Sequence, residues 1–310
     1  MYVDWHDLIE KGSFVEVDGV DVHHFDIGNG HPLLLVHGGG LSSSAEMNWG
    51  AVIKRFAEQF RVIALDQPGF GFTDPRGEVD YYPAERAKFI IEFVEELSLD
   101  SVSVVGNSEG ATISCHMALR RPDLIDHAVP VNGGMTVREF GTPAPSTKTD
   151  EPTIEAVRAE VEKYQEHYFT ETKYHPFWRE ITDEKIERLY EIEHRNWEYN
   201  NERDEAVRGT AHLYNKTLSY EGIPVARQPE DFEVPVLLPW STNPFFSLGQ
   251  YDDPEHDRGG KDPHKPLDDA YDFYKGLNEG QMHVWHDSKH HIQTDKAPEF
   301  VNVVSDFVQS

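Results

Sequence analysis

The chain has 310 residues, of which 38% are hydrophobic, so it can bury a sizeable core in one large domain with an insertion or in two domains. Its formal net charge of -28 excludes nucleic acids and anionic membrane surfaces as expected partners, because like charges repel. The acidity is typical of a solvated, carboxylate-rich surface, and we expect a high-salt cytoplasm as its environment.

Sequence features bearing on compartment agree with a cytoplasmic location. The single Cys115 excludes an internal disulfide. The N-terminal residues show no secretory signal, and no apolar run approaches the roughly 18 residues of a membrane span. We therefore expect a soluble, cytoplasmic protein without a membrane partner, and the sequence leaves room for a homodimer.

Alternating strands and helices predict an α/β fold with a mostly parallel sheet that is covered on both faces. The chain begins with a hairpin centred on Asp18-Gly19, a pair typical of two-residue turns. Buried strands are predicted at residues 33–36, 62–65, 102–105, 125–131, 234–238 and 282–285. Helices are predicted at residues 45–59 and 83–97, from Ser108 to Pro122, at 268–277, and from Pro298 onward.

The alternation is interrupted at Gly141, where a Pro-containing linker begins. The stretch from residue 153 to about 218 is charged, aromatic and helical, with no strand pattern. We therefore predict a helical cap of residues 141–225, inserted into a sheet domain made of residues 1–140 and 226–310.

A sharp turn with the pattern G-x-S-x-G lies between a buried strand and a helix, at Gly106-Asn107-Ser108-Glu109-Gly110. The turn is so tight that neighbouring side chains would clash, and its serine takes strained backbone angles. The hydroxyl then projects from the carboxyl edge of the sheet, where open α/β sheets bind ligands. Ser108 is accordingly the predicted nucleophile.

A serine nucleophile needs oxyanion donors and a base. The backbone N–H of Glu109 is one predicted donor, and that of Gly39, within the Gly38-Gly39-Gly40 loop, is the other. His286, His290 and His291 all follow the last strand, so chain order alone does not select the base. Neither this histidine cluster nor the acidic residues 252–257 have a recognised ligand spacing, and we predict no metal and no organic cofactor.

Three motifs together resemble those of the meta-cleavage-product C–C hydrolases (2-hydroxy-6-oxo-dienoate hydrolases) of the α/β-hydrolase superfamily. They are His37-Gly38-Gly39-Gly40, the run D-Q-P-G-F-G-F-T-D at residues 66–74, and Gly106-Asn107-Ser108. The resemblance spans most of residues 30 to 135 and is weaker from about 280 to 310. It implies an α/β-hydrolase fold with a cap. The family's catalytic histidine stands seven residues before the proline that begins the last helix. His291 stands seven before Pro298, so the resemblance implies that His291, and not His286 or His290, is the base.

The resemblance also implies which residues hold the substrate. Asn107 matches an asparagine that precedes the nucleophile and holds the substrate's oxygens. Gly38, in the glycine loop at residues 38–40, is also expected to contact the substrate. Arg188 matches a cap arginine for the substrate carboxylate with the spacing off by one, and Arg195 competes for that role. Ile292 stands where the family often has tryptophan.

The triad acid is the main departure from the family pattern. Related chains carry an aspartate a few residues after the strand that here ends at Trp240, but no carboxylate stands there, and the alternative position holds Asn132. Three interpretations stay open. In the first, an aspartate of the long polar loop folds back toward His291 (Asp252, Asp253 or Asp257, with Asp253 as our candidate). In the second, Asn243 orients His291 as a neutral partner, and in the third the acid is missing.

The sequence therefore predicts a serine hydrolase that acts on a small carbonyl substrate, with C–C bond hydrolysis of a dienoate ketone as the implied reaction. A carboxylesterase or lactonase is the alternative within the same chemistry. A cofactor-independent oxygenase and a ligand-binding protein without catalysis are alternatives of other classes.

Overall fold

A computed structural model describes residues 4–40, 43–77, 81–133, 149–209, 219–221, 223–242 and 266–310. Its strands are β1 (Gly12–Val17), β2 (Val20–Gly28), β3 (Pro32–Val36), β4 (Arg61–Leu65), β5 (Val102–Asn107), β6 (Ile125–Val131), β7 (Ser219–Tyr220), β8 (Ile223–Pro224), β9 (Val236–Ser241) and β10 (Gly280–Trp285). Its α-helices are α1 (Trp5–Ile9), α2 (Ala45–Trp49), α3 (Ile53–Phe56), α4 (Pro83–Glu96), α5 (Glu109–Arg120), α6 (Ile154–Tyr168), α7 (Asp183–Gly209), α8 (Pro266–Gly276), α9 (Ile292–Asp295) and α10 (Ala297–Val308).

Eight of these strands form one sheet in the order β1-β2-β4-β3-β5-β6-β9-β10. The pairs β1–β2 and β2–β4 are antiparallel, and every other neighbouring pair is parallel. The first hairpin turns at Asp18 and Gly19, both with positive φ, as that dipeptide predicts. The mostly parallel α/β sheet expected from the sequence is confirmed.

Both faces of the sheet are buried, which explains why β3 and residues 62–65 of β4 are continuous apolar runs. One face packs against α4, α5 and α8, with Ile90, Ile113 and Phe273 in a shared core. The other face packs against α2, α3 and α10 through residues such as Phe56 and Phe300. Because β3, β5, β6 and β9 run parallel to one another, their carboxyl ends lie at the same edge of the sheet.

The predicted helix at residues 45–59 is instead two short helices, α2 and α3. The change of direction follows Gly50, which ends α2. A Cβ at Gly50 would lie 3.1 Å from the His175 ring, so the absence of a side chain lets a segment beyond β6 pack against this corner. Helical periodicity in the sequence does not reveal such a tertiary contact.

Between β6 and β9 the structure places α6, α7 and the small β7–β8 hairpin. A third apolar cluster joins α6 and α7 to each other and to the sheet side of the molecule, through residues that include Val161, Leu189 and Met47. This packing suits the predicted cap, whose limits at residues 141 and 225 stay a prediction. None of the described helices has the length and apolarity needed to cross a membrane.

Candidate active site

Ser108 stands at the junction of β5 and α5 with φ 59° and ψ -118°. Positive φ is rare for a residue with a side chain, and holding one costs about 1–3 kcal/mol that the surroundings must offset. The Ser108 N–H donates to the Val131 carbonyl at 3.0 Å, which fixes the turn to β6. A Cβ at Gly106 or at Gly110 would collide with backbone atoms, so the two flanking glycines allow the close approach.

The glycine loop after β3 lies against this serine. A Cβ at Gly38 would be 2.8 Å from the Ser108 Cβ and 3.4 Å from its Oγ. Glu109 is the first residue of α5, so its N–H has no acceptor within the helix. The structure therefore brings together the loop and the helix N-terminus that the sequence predicts as oxyanion donors.

The Glu109 side chain forms a buried ionic cluster beside that loop. Its carboxylate pairs with Arg203 of α7 and lies 3.9 Å from Arg86 of α4. Burial alone would raise the pKa of Glu109, but the two guanidinium groups outweigh it and lower the pKa. A Cβ at Gly39 would be 3.3 Å from the Glu109 carboxylate and 3.5 Å from Arg203, so an arginine of α7 stands next to the predicted oxyanion site.

Two asparagines connect the nucleophile turn to the segment that carries the histidines. The Asn107 amide nitrogen lies 3.3 Å from the Val131 carbonyl and 3.5 Å from the His290 carbonyl. Asn132 donates to the same His290 carbonyl at 2.9 Å and accepts from the Ser241 N–H at 2.8 Å. Asn132 thus supports the backbone of the histidine segment and does not contact the His291 ring.

A buried carboxylate fixes the same segment to the residues that follow α6. Asp295 in α9 accepts hydrogen bonds from the backbone N–H groups of Thr170 and Glu171 on one oxygen. Its other oxygen accepts from the Ser288 hydroxyl and the Lys289 N–H. These four bonds satisfy both oxygens, which a buried carboxylate needs. They align the region around His291 with the segment after α6.

His291 is 4% exposed and contacts polar atoms through both ring nitrogens. Its Nε2 lies 3.1 Å from the Tyr164 hydroxyl, and its Nδ1 lies 3.2 Å from the Gln293 amide nitrogen. Phe169 stacks on the ring at 5.0 Å. Burial, and to a smaller extent the neighbouring rings of His290 and His175, lower the pKa of His291 well below its usual value. The imidazole is therefore neutral near pH 7, as a general base must be.

In the parts of the chain that the structure describes, no carboxylate contacts His291. Asp253 and Asn243, the two candidates for the triad acid, lie outside the described residues, as do Asp252 and Asp257. The described residues also hold no group of three or more His, Cys, Asp or Glu side chains arranged to bind a metal ion.

The two predicted cap arginines are engaged with carboxylates. Arg188 makes a two-pronged contact with Glu46 of α2, at 2.8 and 2.5 Å, and its guanidinium lies over the Phe72 ring. Glu46 is 2% exposed, so this ion pair is largely shielded from water. Arg195 pairs with the exposed Asp74.

The site contains side chains that sequence reasoning missed. Tyr164, Asn48, Gln293 and Arg203 all contact residues predicted to act in the site. Only Tyr164 carried a signal, because Tyr164 and Tyr168 stand four apart on one face of a cap helix. The others are polar residues without a motif.

The chain matches the family model of the alpha/beta hydrolase fold over residues 31–297. This match spans most of the chain and includes the turn, the glycine loop and the histidine. The protein belongs to the α/β-hydrolase family. The fold predicted from the sequence is thereby confirmed.

Several relatives of this α/β-hydrolase are meta-cleavage-product hydrolases, which confirms the resemblance. The chain is 34% identical over 117 residues to 2-hydroxy-6-oxo-6-(2'-aminophenyl)hexa-2,4-dienoic acid hydrolase of Metapseudomonas resinovorans, covering 37% of this chain and 40% of that protein. It is 24% identical over 298 residues to 2-hydroxy-6-oxo-6-phenylhexa-2,4-dienoate hydrolase of Comamonas testosteroni, covering 93% and 91%. The stronger match thus spans about two fifths of the relative's length.

Solved structures share the overall fold of this α/β-hydrolase. The meta-cleavage product hydrolase from Pseudomonas fluorescens superposes with a TM-score of 0.69 at 22% identity, over 97% of this chain and 98% of that one. The enol-lactonase from Burkholderia xenovorans gives 0.65 at 15% identity, over 96% and 100%. At such identities the likeness establishes the fold, not the substrate.

Proposed function

We propose that this α/β-hydrolase is a serine hydrolase in which Ser108 is the nucleophile and His291 is its base. The observation that carries the proposal is the strained backbone of Ser108 directly against the Gly38–Gly39 loop. Strained backbone angles persist only where the surrounding structure enforces them, and such residues cluster at active sites, where the strain holds a side chain in its reactive position. The contact of Asn107 with the His290 carbonyl supports the pairing, since it joins the residue before the serine to the residue before His291.

In the proposed reaction, His291 Nε2 takes a proton from the Ser108 hydroxyl or from water. The N–H groups of Gly39 and Glu109 donate to the oxygen that becomes negative at the substrate carbonyl. The cluster of Glu109 with Arg86 and Arg203 holds the second donor in place from two directions. Gly38 and Asn107 contact the bound substrate beside the nucleophile.

The substrate class we propose is a dienoate ketone whose C–C bond is hydrolysed, with Arg188 as the residue that binds its carboxylate. The names of the relatives and the three shared motifs support this choice. A neutral ester or lactone is the second candidate. It is favoured by the Arg188–Glu46 and Arg195–Asp74 pairs, because an arginine already paired has less to offer an anionic substrate.

For the triad acid, we propose Asp253, with Asn243 as the neutral alternative. The proposal comes from the sequence, in which the polar loop at residues 243–266 follows β9 and carries several carboxylates. A cytoplasmic location, a high-salt environment and a homodimer stay predictions from composition.

A labelling experiment separates a serine hydrolase from the other classes. We expect a fluorophosphonate to modify wild-type protein at Ser108 and to leave Ser108→Ala unmodified, because only an activated serine reacts quickly. Turnover would then be compared across dienoate ketones, aryl esters and lactones. Absence of labelling and of turnover would favour an oxygenase or a ligand-binding protein. Labelling with ester turnover but no dienoate turnover would leave the esterase or lactonase.

A further inference from the structure

Three side-chain amides form a buried chain that ends on His291. Asn107 receives a hydrogen bond from the Asn48 amide nitrogen at 3.3 Å. Asn48 in turn receives one from the Gln293 amide nitrogen at 3.1 Å. The same Gln293 nitrogen lies 3.2 Å from His291 Nδ1. All four residues are at most 5% exposed, so the chain is shielded from competing water.

Backbone carbonyls decide the direction of this amide chain. An amide can be turned end for end unless its neighbours forbid it. The Asn107 nitrogen faces the carbonyls of Val131 and His290, which can only accept, so its oxygen must face Asn48. Each following amide is then fixed in turn, with its nitrogen toward the previous oxygen. At the far end, the Gln293 nitrogen also faces the Asn48 backbone carbonyl at 3.5 Å, which requires the same orientation.

The direction of the chain determines where His291 carries its proton. An amide nitrogen has only hydrogens to offer, so the Nδ1 that faces it must accept. A neutral imidazole with an acceptor at Nδ1 has its proton on Nε2. In this structure Nε2 faces the Tyr164 hydroxyl, whose oxygen can accept that proton in a hydrogen bond. One tautomer thus satisfies both polar contacts that the ring nitrogens make with described residues.

We propose that Gln293 is a positioning residue that holds His291 of the substrate-free enzyme in its Nε2–H form, bonded to Tyr164 of the cap. This inference rests on the proposed function, because it matters for catalysis only if His291 is the base of Ser108. In the Nε2–H form the nitrogen has no lone pair with which to remove a proton from the serine hydroxyl. The pair therefore stays inactive until the proton moves from Nε2 to Nδ1, which requires the Gln293 amide nitrogen to move away from Nδ1.

The reacting enzyme needs the opposite arrangement. For His291 to accept the Ser108 proton at Nε2, Nδ1 must carry the ring proton and face an acceptor. In a serine triad, an amide in place of the carboxylate costs about 10⁴ in rate through the wrong tautomer. Among the residues that the structure describes, no acceptor faces Nδ1, and a carboxylate at position 293 would supply one. Converting the amide to a carboxylate should consequently activate the enzyme.

Nitrogen NMR of the histidine ring tests the tautomer directly in the full-length wild type without substrate. The His291 signals are assigned by their loss in His291→Asn. We expect a protonated Nε2 and an unprotonated Nδ1 near pH 7. A protonated Nδ1 in the wild type would overturn the inference, whatever the enzyme's activity.

Two variants then test whether Gln293 is the cause. Gln293→Leu has a side chain of similar size but no donor, so it should show a mixture of both His291 tautomers. An unchanged Nε2–H form in this variant would show that Gln293 does not determine the tautomer. Gln293→Glu should move the ring proton to Nδ1. It should also raise kcat/KM on a neutral aryl ester by at least about tenfold, which is a small part of the about 10⁴-fold rate difference between a carboxylate and an amide in a serine triad.

The serine variant separates the two proposals. Ser108→Ala in the Gln293→Glu background should abolish the gain. If the tautomers behave as expected but Ser108→Ala leaves hydrolysis unchanged, the proposed function fails while the positioning role stands.

Discussion

At the scale of single residues, the surroundings of His291 keep its ring neutral, as a base requires, but the described residues place no negative charge beside it. Burial lowers its pKa, so the ring is neutral and can accept a proton. Within the described ranges of the chain, its ring nitrogens contact Tyr164 and Gln293, which carry no formal charge. An imidazolium formed during reaction would therefore need a further, negatively charged partner to be stabilised.

Replacing the proposed nucleophile or base by alanine should lower hydrolysis by at least about 10³-fold, because members of a triad act as one unit. The measurement is kcat/KM of Ser108→Ala and His291→Ala on the best substrate of the panel. His290→Ala is the matched control, since its carbonyl, which Asn132 and Asn107 contact, stays in place. Severe damage in the control with a mild effect in His291→Ala would reverse the assignment of the base.

For the acid, Asp253→Ala should cost more activity than Asn243→Ala. A charged partner stabilises the imidazolium that forms in the transition state, whereas an amide mainly orients the ring. Both variants would be compared by kcat on one neutral ester, with Glu255→Ala in the same loop as the control. Equal losses, or a larger loss in Asn243→Ala, would favour the neutral partner.

At the scale of elements, a buried His23–Asp66 pair ties β2 to the end of β4, where the D-Q-P-G-F-G motif begins. His23 Nδ1 lies 2.7 Å from the Asp66 carboxylate, which also accepts from the Phe72 and Ala45 N–H groups. Burial alone would lower the pKa of His23, but the charge and hydrogen bond of Asp66 raise it overall. Burial alone would raise the pKa of Asp66, yet its partners lower it overall.

This pair should make stability depend on pH. Because its folded pKa is raised, His23 contributes stability that is full below about pH 6.5 and lost as the pH rises through the folded value. His23→Gln should therefore destabilise the protein most at pH 6, with a smaller difference from wild type at pH 9. Urea unfolding at the two pH values measures this, with the exposed His286→Gln as control. A difference that does not shrink would contradict a charged His23.

The ion pair between α7 and α2 gives a second prediction at this scale. If Arg188 binds the carboxylate of a dienoate, Arg188→Gln should raise KM or lower kcat on a dienoate and leave a neutral aryl ester nearly unchanged. Guanidinium suits a carboxylate because it donates two parallel hydrogen bonds. Arg195→Gln tests the competing arginine, whose partner Asp74 is exposed, and a dienoate-specific loss in that variant alone would move the role to Arg195. Equal losses on both substrates would make the arginine structural, as its contact with buried Glu46 allows.

At the scale of the whole molecule, the net charge of -28 should make stability rise with salt. Like charges repel each other in the compact state, and the Debye length shrinks to about 3 Å at 1 M. We expect Tm at pH 7 to increase from low to molar potassium chloride. The increase should be smaller near the sequence pI of about 4.9, where the net charge vanishes. A Tm that is flat or falls with salt at pH 7 would reject the expectation.

The amino-acid sequence by itself predicted a mostly parallel sheet, most of its strands and helices in chain order, and the nucleophile turn. These follow from local signals, because a buried parallel strand must be apolar and a tight turn must have glycines beside the serine. The G-x-S-x-G pattern needed no tertiary information to place Ser108 at the end of β5. The seven-residue spacing to Pro298, which the resemblance to the C–C hydrolases supplied, indicated His291 as the base.

Tertiary structure alone decided what surrounds these residues. Asn48 and Gln293 are 245 positions apart and meet only because α2 and α9 lie at one edge of the sheet. Arg188 pairs with a glutamate of α2 instead of a neighbour on its own helix, and Arg203 reaches Glu109, for the same reason. Hydrogen bonds and ion pairs act over a few ångströms in space, and the sequence contains no signal for which distant side chains will come within that range.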